Sequence, residues 1–300
     1  MRKNLFGLFC LFLVFNTNAQ DSLLNKLNES MLAASKAAYV TGTFKALYIV
    51  NMKSIESPAA GALNFEIQHR FGSLNGGGYE FFGLDNATLR LGLDYGITDR
   101  LAVGIGRSSY QKTFDGYLKY KLLRQTDGTN RMPVSVSLLA TINYYTQHYN
   151  DLKYLDATFR TAYTTQILLA RKFNKLFSLE LTPTLIHYNL VPTIADKNNV
   201  FALAGGARMK ITKRMSINVE YDYLFPNQVV STAVHHSLSF GWDIETGGHV
   251  FQLVFSNSQS MLESQYIGQT TGTWGNGDIY FGFNISRNFN LKKHSVVVSK

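Results

Sequence analysis

Cysteine is nearly absent: the chain has one, Cys10. It lies in the apolar run Leu5 to Phe15, behind Met1-Arg2-Lys3-Asn4 and ahead of Asn16-Thr17-Asn18-Ala19. A basic start, an apolar centre too short to cross a bilayer and a small residue for cleavage make residues 1–19 an expected secretory signal peptide. Further Leu and Phe follow Cys10, which speaks against lipid attachment there. Cleavage after Ala19 leaves no cysteine, excluding disulfides, thiol nucleophiles and thiolate metal sites. Charge is sparse at 16% and proline numbers five. No stretch beyond the leader is apolar for long enough to make a membrane helix. Helical spacing is confined to Asp21–Ala38, where Leu23, Leu27, Met31 and Ala34 recur.

What the chain has instead is alternation. In the stretch Ile279–Phe289, Ile279, Phe281, Phe283 and Ile285 share one strand face, and Tyr280, Gly282, Asn284 and Ser286 the other. The pattern recurs from Ala62 onward: Leu63, Phe65 and Ile67 against Asn64, Glu66, Gln68 and Arg70; Leu89, Leu91 and Leu93 against Arg90, Gly92 and Asp94. Further strands are expected over Leu101–Ile105, Phe114–Leu123, Val134–Tyr145, Ala157–Phe173, Leu176–Tyr188, Val200–Ile211, Met215–Tyr223, His235–Ile244 and His249–Ser256. No helical layer is available to cover so many greasy faces, so the remaining solution is a closed barrel whose apolar face meets lipid. Soluble sandwiches use shorter strands, and propeller blades repeat in sequence, which these segments do not.

The expected fold class is all-β: an antiparallel transmembrane β-barrel of about 12 strands over residues 62–289, with a short N-terminal helical leader. Residues 20–61 read as a helical, periplasmic or plug segment, with Thr43–Val50 strand-like and Asn51–Gly61 a linker. Residues 290–300 read as a tail.

The formal charge is +9. Cations are dispersed, and Arg100, Lys175, Lys213 and Arg214 fall in short turns, which argues against nucleic-acid binding and for lipid head groups or water. Strand parity turns a charged set inward: Arg70, Arg90, Lys119, Lys121, Arg160, Arg208 and Lys210, with Glu66, Asp94, Asp115, Glu180, Glu220, Asp222 and Asp243. A pore selective for one sign shows an excess. This balance points to cross-strand salt bridges in a narrow lumen, or to a wet pore for small zwitterions or sugars.

His235 and Ser237 form the one enzyme-like pair, sharing the polar face with Ser239 and Asp243. From the lumen they do not reach a lipid ester, and no orienting third residue is evident, so lining is their default reading. Adjacent His235 and His236 point to opposite sides of a strand, so no metal is expected, and no cofactor. Gly104-Ile105-Gly106-Arg107 lacks the third glycine and the helix of a dinucleotide loop; glycine there eases crowding between strands.

Several motifs occur in order: Thr43-Phe44-Lys45, His69-Arg70-Phe71-Gly72, Gly83-Leu84-Asp85, Tyr95-Gly96-Ile97-Thr98-Asp99-Arg100, Gly106-Arg107-Ser108-Ser109 and Lys112-Thr113-Phe114-Asp115-Gly116-Tyr117-Leu118-Lys119-Tyr120-Lys121. Through them the stretch Thr43–Lys121 resembles an uncharacterised bacterial outer-membrane β-barrel family of unknown function. The resemblance implies a signal peptide and a membrane barrel, and brings no substrate. The closing strand ending on Phe289 also resembles the signal read by the barrel-assembly machinery, although further residues follow it.

The expected location is therefore the bacterial outer membrane. Expected partners are its lipid, the assembly machinery during biogenesis and a small-molecule solute. The first functional reading is a narrow channel with a charged, polar lumen, not an enzyme. A non-conducting structural or partner-binding barrel is second, and a lipid hydrolase third.

Overall fold

The computed structural model describes residues 38–128, 131–148 and 155–291. Twelve strands close into one barrel. They are β1 (Ala62–Ser73), β2 (Ala87–Gly96), β3 (Leu101–Ser108), β4 (Thr113–Leu123), β5 (Ser135–Tyr145), β6 (Thr161–Lys172), β7 (Phe177–Tyr188), β8 (Asn199–Lys210), β9 (Met215–Leu224), β10 (Ser237–Thr246), β11 (His249–Ser256) and β12 (Tyr280–Asn290). Every pairing is antiparallel, and β12 returns to β1 with Ile285 opposite Ile67 and Phe289 opposite Leu63. Closure satisfies the ladder hydrogen bonds of every strand and leaves no open edge.

Register follows from the alternation. Ile67 stands between Ile285 on one side and Leu91 on the other, so apolar residues form continuous outward rows. A slip of one residue would turn such a row into the lumen. Outward side chains stay exposed, among them Ile105, Leu118, Phe201 and Trp242. Aromatic pairs mark both rims: Phe71 stacks on Phe281 at 5.7 Å, and at the opposite end Phe173 lies 5.7 Å from Phe177.

One end of the barrel has short turns, at residues 97–100, 173–176, 211–214 and 247–248. The last is a two-residue hairpin whose Gly247 and Gly248 have φ of 41° and 109°, a region that favours glycine. The β4–β5 connection is the long exception at this end. Longer connections follow β1, β5, β7, β9 and β11 at the other end, where residues 109–112 are the short exception. The N-terminal segment arrives at the short-turn end: Ala38–Tyr39 pairs with Thr126–Asp127 in the β4–β5 connection.

Several expectations are corrected. Thr43–Val50 forms no strand. The strands expected from Ala157 and His235 begin at Thr161 and Ser237. Asn290, assigned to the tail, completes β12. Ala38 is extended rather than helical. The leader at 1–19, the rest of the helix expected over Asp21–Ala38, and residues 292–300 lie outside the described residues.

Candidate functional site

Among the described residues, two segments entering from opposite ends fill the lumen. From the short-turn end, residues 42–57 form a plug that turns back on itself, with the Ile49 N–H donating to the Met52 carbonyl (2.9 Å) and the Ser54 N–H to that of Leu47 (2.8 Å). Phe44, Ile49, Val50, Met52 and Ile55 are buried in one cluster with the inward residues Leu139, Leu168, Ile186 and Val200 of the wall. Glycine clears the seat: a Cβ on Gly206 would lie 2.5 Å from Ile49 Cδ1, and one on Gly241 would lie 3.1 Å from Val50 Cγ2.

The plug makes few main-chain bonds to itself, so its peptide groups need other partners. Wall side chains supply them. Glu220 Oε2 accepts the N–H groups of Val50 (3.1 Å), Asn51 (2.9 Å) and Met52 (2.9 Å). Glu180 Oε2 accepts that of Ile55 at 2.7 Å. Asn218 and Gln252 donate to the Ile49 carbonyl (3.1 and 2.6 Å), and Asn284 to that of Val50 (2.9 Å). Lys119 donates to the carbonyls of Ser54 and Glu56. Arg208 reaches the Thr43 carbonyl at 3.3 Å. At the tip, Asn51 accepts from the Arg70 guanidinium (2.8 Å) and donates to the Ser239 hydroxyl (2.9 Å). Hydrogen bonds to charged groups are the stronger kind, so ionic side chains hold the plug's backbone as the apolar cluster holds its side chains.

From the long-loop end the β11–β12 connection folds inward. Its short helical turn, Glu263–Tyr266, is wholly buried. Ser264 is its anchor: its carbonyl accepts the Tyr188 hydroxyl, and its own hydroxyl meets Asn143 Nδ2 (2.5 Å) and the Tyr145 hydroxyl (2.9 Å). Cavities flank this filling among the described residues. One of about 490 Å³ opens among the long loops, floored by Tyr188, Gly268 and Gln269. Another, of about 340 Å³, lies at the short-turn end between the plug and the Asn64, Ser286 and Asn288 side of the wall.

Among the residues that parity turned inward, Glu66, Arg70, Arg90, Asp94, Asp115, Lys119, Glu180, Arg208, Glu220, Asp222 and Asp243 are buried within the barrel. Lys121 and Lys210 are half-buried near the short-turn end. Arg160 stands apart, just before β6, where Nε donates to the Leu155 carbonyl (3.0 Å) and Nη1 to that of Gln147 (2.7 Å). The expectation of a salt-bridged lumen is corrected. Among the described residues one pair joins two wall strands, Arg90 with Asp115 at 2.9 and 2.5 Å. A second, Lys45 to Glu245 at 2.6 Å, ties the plug to the rim. Most other wall charges meet peptide groups or neutral side chains, as Asp94 meets Tyr117 (2.7 Å) and Asn64 (3.1 Å).

The His235–Ser237 pair does not form the shared face expected of it. His235 is exposed ahead of β10, its N–H donating to the Thr270 carbonyl at 2.8 Å, while Ser237 is buried. Gly106 does relieve crowding: a Cβ there would lie 2.5 Å from Arg90 Nη2 and 2.7 Å from Asp115 Oδ1. Charge parity did not single out the plug tip, the amides Asn218, Gln252 and Asn284, or the apolar inner patch. A signal for the patch lies in Ile167-Leu168-Leu169-Ala170, where alternation lapses.

A family described as Membrane bound beta barrel domain (DUF5777) matches residues 44–289. The chain belongs to this family. The match starts at Phe44, so the family's domain takes in most of the plug as well as nearly all of the barrel. No curated protein matches the chain. Among solved structures, the NanC porin is 12% identical with a TM-score of 0.48, over 76% of this chain and 98% of that one. The KdgM porin is 7% identical with a TM-score of 0.45, over 76% and 99%. An outer membrane channel from Pseudomonas putida F1 is 13% identical with a TM-score of 0.44, over 78% and 97%. Likeness at these levels carries no argument about function, which rests on the lumen itself.

Proposed function

We propose that the chain is a bacterial outer-membrane channel for small solutes, held closed by its N-terminal plug. The observation that carries this reading is how the plug is held. Glu220, Glu180, Lys119 and Arg208 grip its peptide groups, while its apolar side chains pack on the inner wall. A small barrel built to stay solid fills with side chains from its own strands. Here the wall keeps ionic and amide groups that water can solvate once the plug leaves. The plug is tethered at the short-turn end, which in bacterial barrels faces the periplasm, so it withdraws in that direction.

The test is conductance in planar bilayers. Refolded wild-type protein is expected to be silent, and a variant lacking residues 42–57 to give steady current steps. In that open background, Lys121→Glu with Lys210→Glu is expected to shift ion preference towards cations. A folded deletion variant that stays silent overturns the channel reading in favour of a non-conducting, partner-binding barrel. The observation on that second reading's side is the β1–β2 connection, which leaves Tyr79, Phe81 and Phe82 exposed together.

A further inference from the structure

We infer that the cavity at the long-loop mouth is a binding site for a small carboxylate with an aromatic or branched aliphatic body. Its volume of about 490 Å³ suits such a molecule. Phe159, Leu190, Val191, Val229 and Val234 give it largely apolar walls at a mouth open to water. Burying an apolar body against them is favourable, which supplies affinity without fixing charge.

Among the described residues, charge is set by three of the lining: Arg160, Lys197 and Asp196. Asp196 is committed. Its Oδ1 accepts the N–H groups of Val230 (2.7 Å) and Ser231 (2.9 Å), and its Oδ2 accepts the N–H (3.1 Å) and hydroxyl (2.8 Å) of Thr193. A ligand cation competes with four donors for it. The cations are not spent in the same way. Among the described residues, Arg160 is fixed through Nε and Nη1 to the carbonyls of Leu155, Tyr145 and Gln147, which leaves its Nη2 edge. Lys197 is positioned by its N–H, which donates to the Gln228 carbonyl at 2.9 Å, and its side chain is exposed. The cavity therefore presents an apolar body site with unspent positive charge, which complements a carboxylate and opposes an amine.

The floor gives the site a bearing on the lumen. Tyr188 and Tyr145, both in the lining, hold Ser264 of the infolded connection, and Gly268 and Gln269 follow directly. A solute seated here lies on the fastening of the long-loop filler. Its role as the first stop of a permeant rests on the channel reading. Binding itself does not, because it is measured on the closed wild-type barrel.

The experiment is fluorine NMR of 4-fluorobenzoate, 4-fluorobenzyl alcohol and 4-fluorobenzylamine with the full chain in phosphatidylcholine nanodiscs, against empty nanodiscs. Saturable binding is expected, with 4-fluorobenzoate about tenfold tighter than 4-fluorobenzylamine. Lys197→Glu is expected to remove that preference while leaving the alcohol unchanged. Val191→Trp, or Val234→Trp if the first does not fold by circular dichroism, is expected to abolish binding of all three. Signals equal to those of empty nanodiscs, an amine bound as tightly as the benzoate, or binding unchanged in both tryptophan variants would overturn the site. A deletion variant that stays silent while benzoate still binds removes the channel reading and leaves the site.

Discussion

The guanidinium of Arg90 and the carboxylate of Asp115 meet across β3, over the bare backbone of Gly106. Removing one member leaves the other buried and unpaired. Asp115→Ala is expected to lower barrel stability by about 3–5 kcal/mol, and the paired replacement Arg90→Met with Asp115→Leu to recover most of it. Urea unfolding in lipid vesicles measures both. Asp196, buried among the long loops, is held by neutral hydrogen bonds rather than by a cation. Burial opposes its ionisation, but bonds from Ser231, Val230 and Thr193 prevail and hold it well below the usual carboxylate range. A depressed folded value means the clamp between the loops is intact above the unfolded value of about 3.9 and is lost as pH falls through the folded one. Proteolysis of these loops should rise on that descent, and Asp196→Asn should remove the pH dependence. At this scale parity was legible, since a strand residue's side follows from its neighbours. His235 was not, because the Thr270 carbonyl draws its N–H away from the strand ladder.

At the scale of the element, the plug is the part that local sequence misrepresents. Tyr48-Ile49-Val50 has strand-forming residues, yet the groups that bind Ile49 and Val50 lie at Asn218, Glu220, Gln252 and Asn284, far along the chain. No local pattern reports such partners. Its seat is testable through Gly206. A leucine there must displace Ile49, and overpacking of this kind costs about 1–3 kcal/mol. The strain falls on the plug, which is tethered at one end, rather than on the closed sheet. Gly206→Leu should therefore speed protease cleavage within residues 47–54 and leave the circular dichroism of the barrel unchanged. Equal protease resistance in variant and wild type would contradict the seat.

For the whole molecule, the twelve strands were readable because each repeats one simple rule and closure is the arrangement that obeys all of them together. The filling of the lumen was readable only as the plug alternative for residues 20–61, because among the described residues it comes from two segments that belong to no strand. The inward charges look balanced in sequence, but Lys119, Glu180, Arg208 and Glu220 turn to peptide groups of the plug, and a sign count cannot see a peptide group. The central claim is that the plug closes an otherwise hydratable lumen. The most direct measurement is single-channel current through folded wild-type protein and through the variant lacking residues 42–57, in the same bilayer and salt. Silence from the first and steady steps from the second is the predicted result. Silence from both, or equal steps from both, would contradict it.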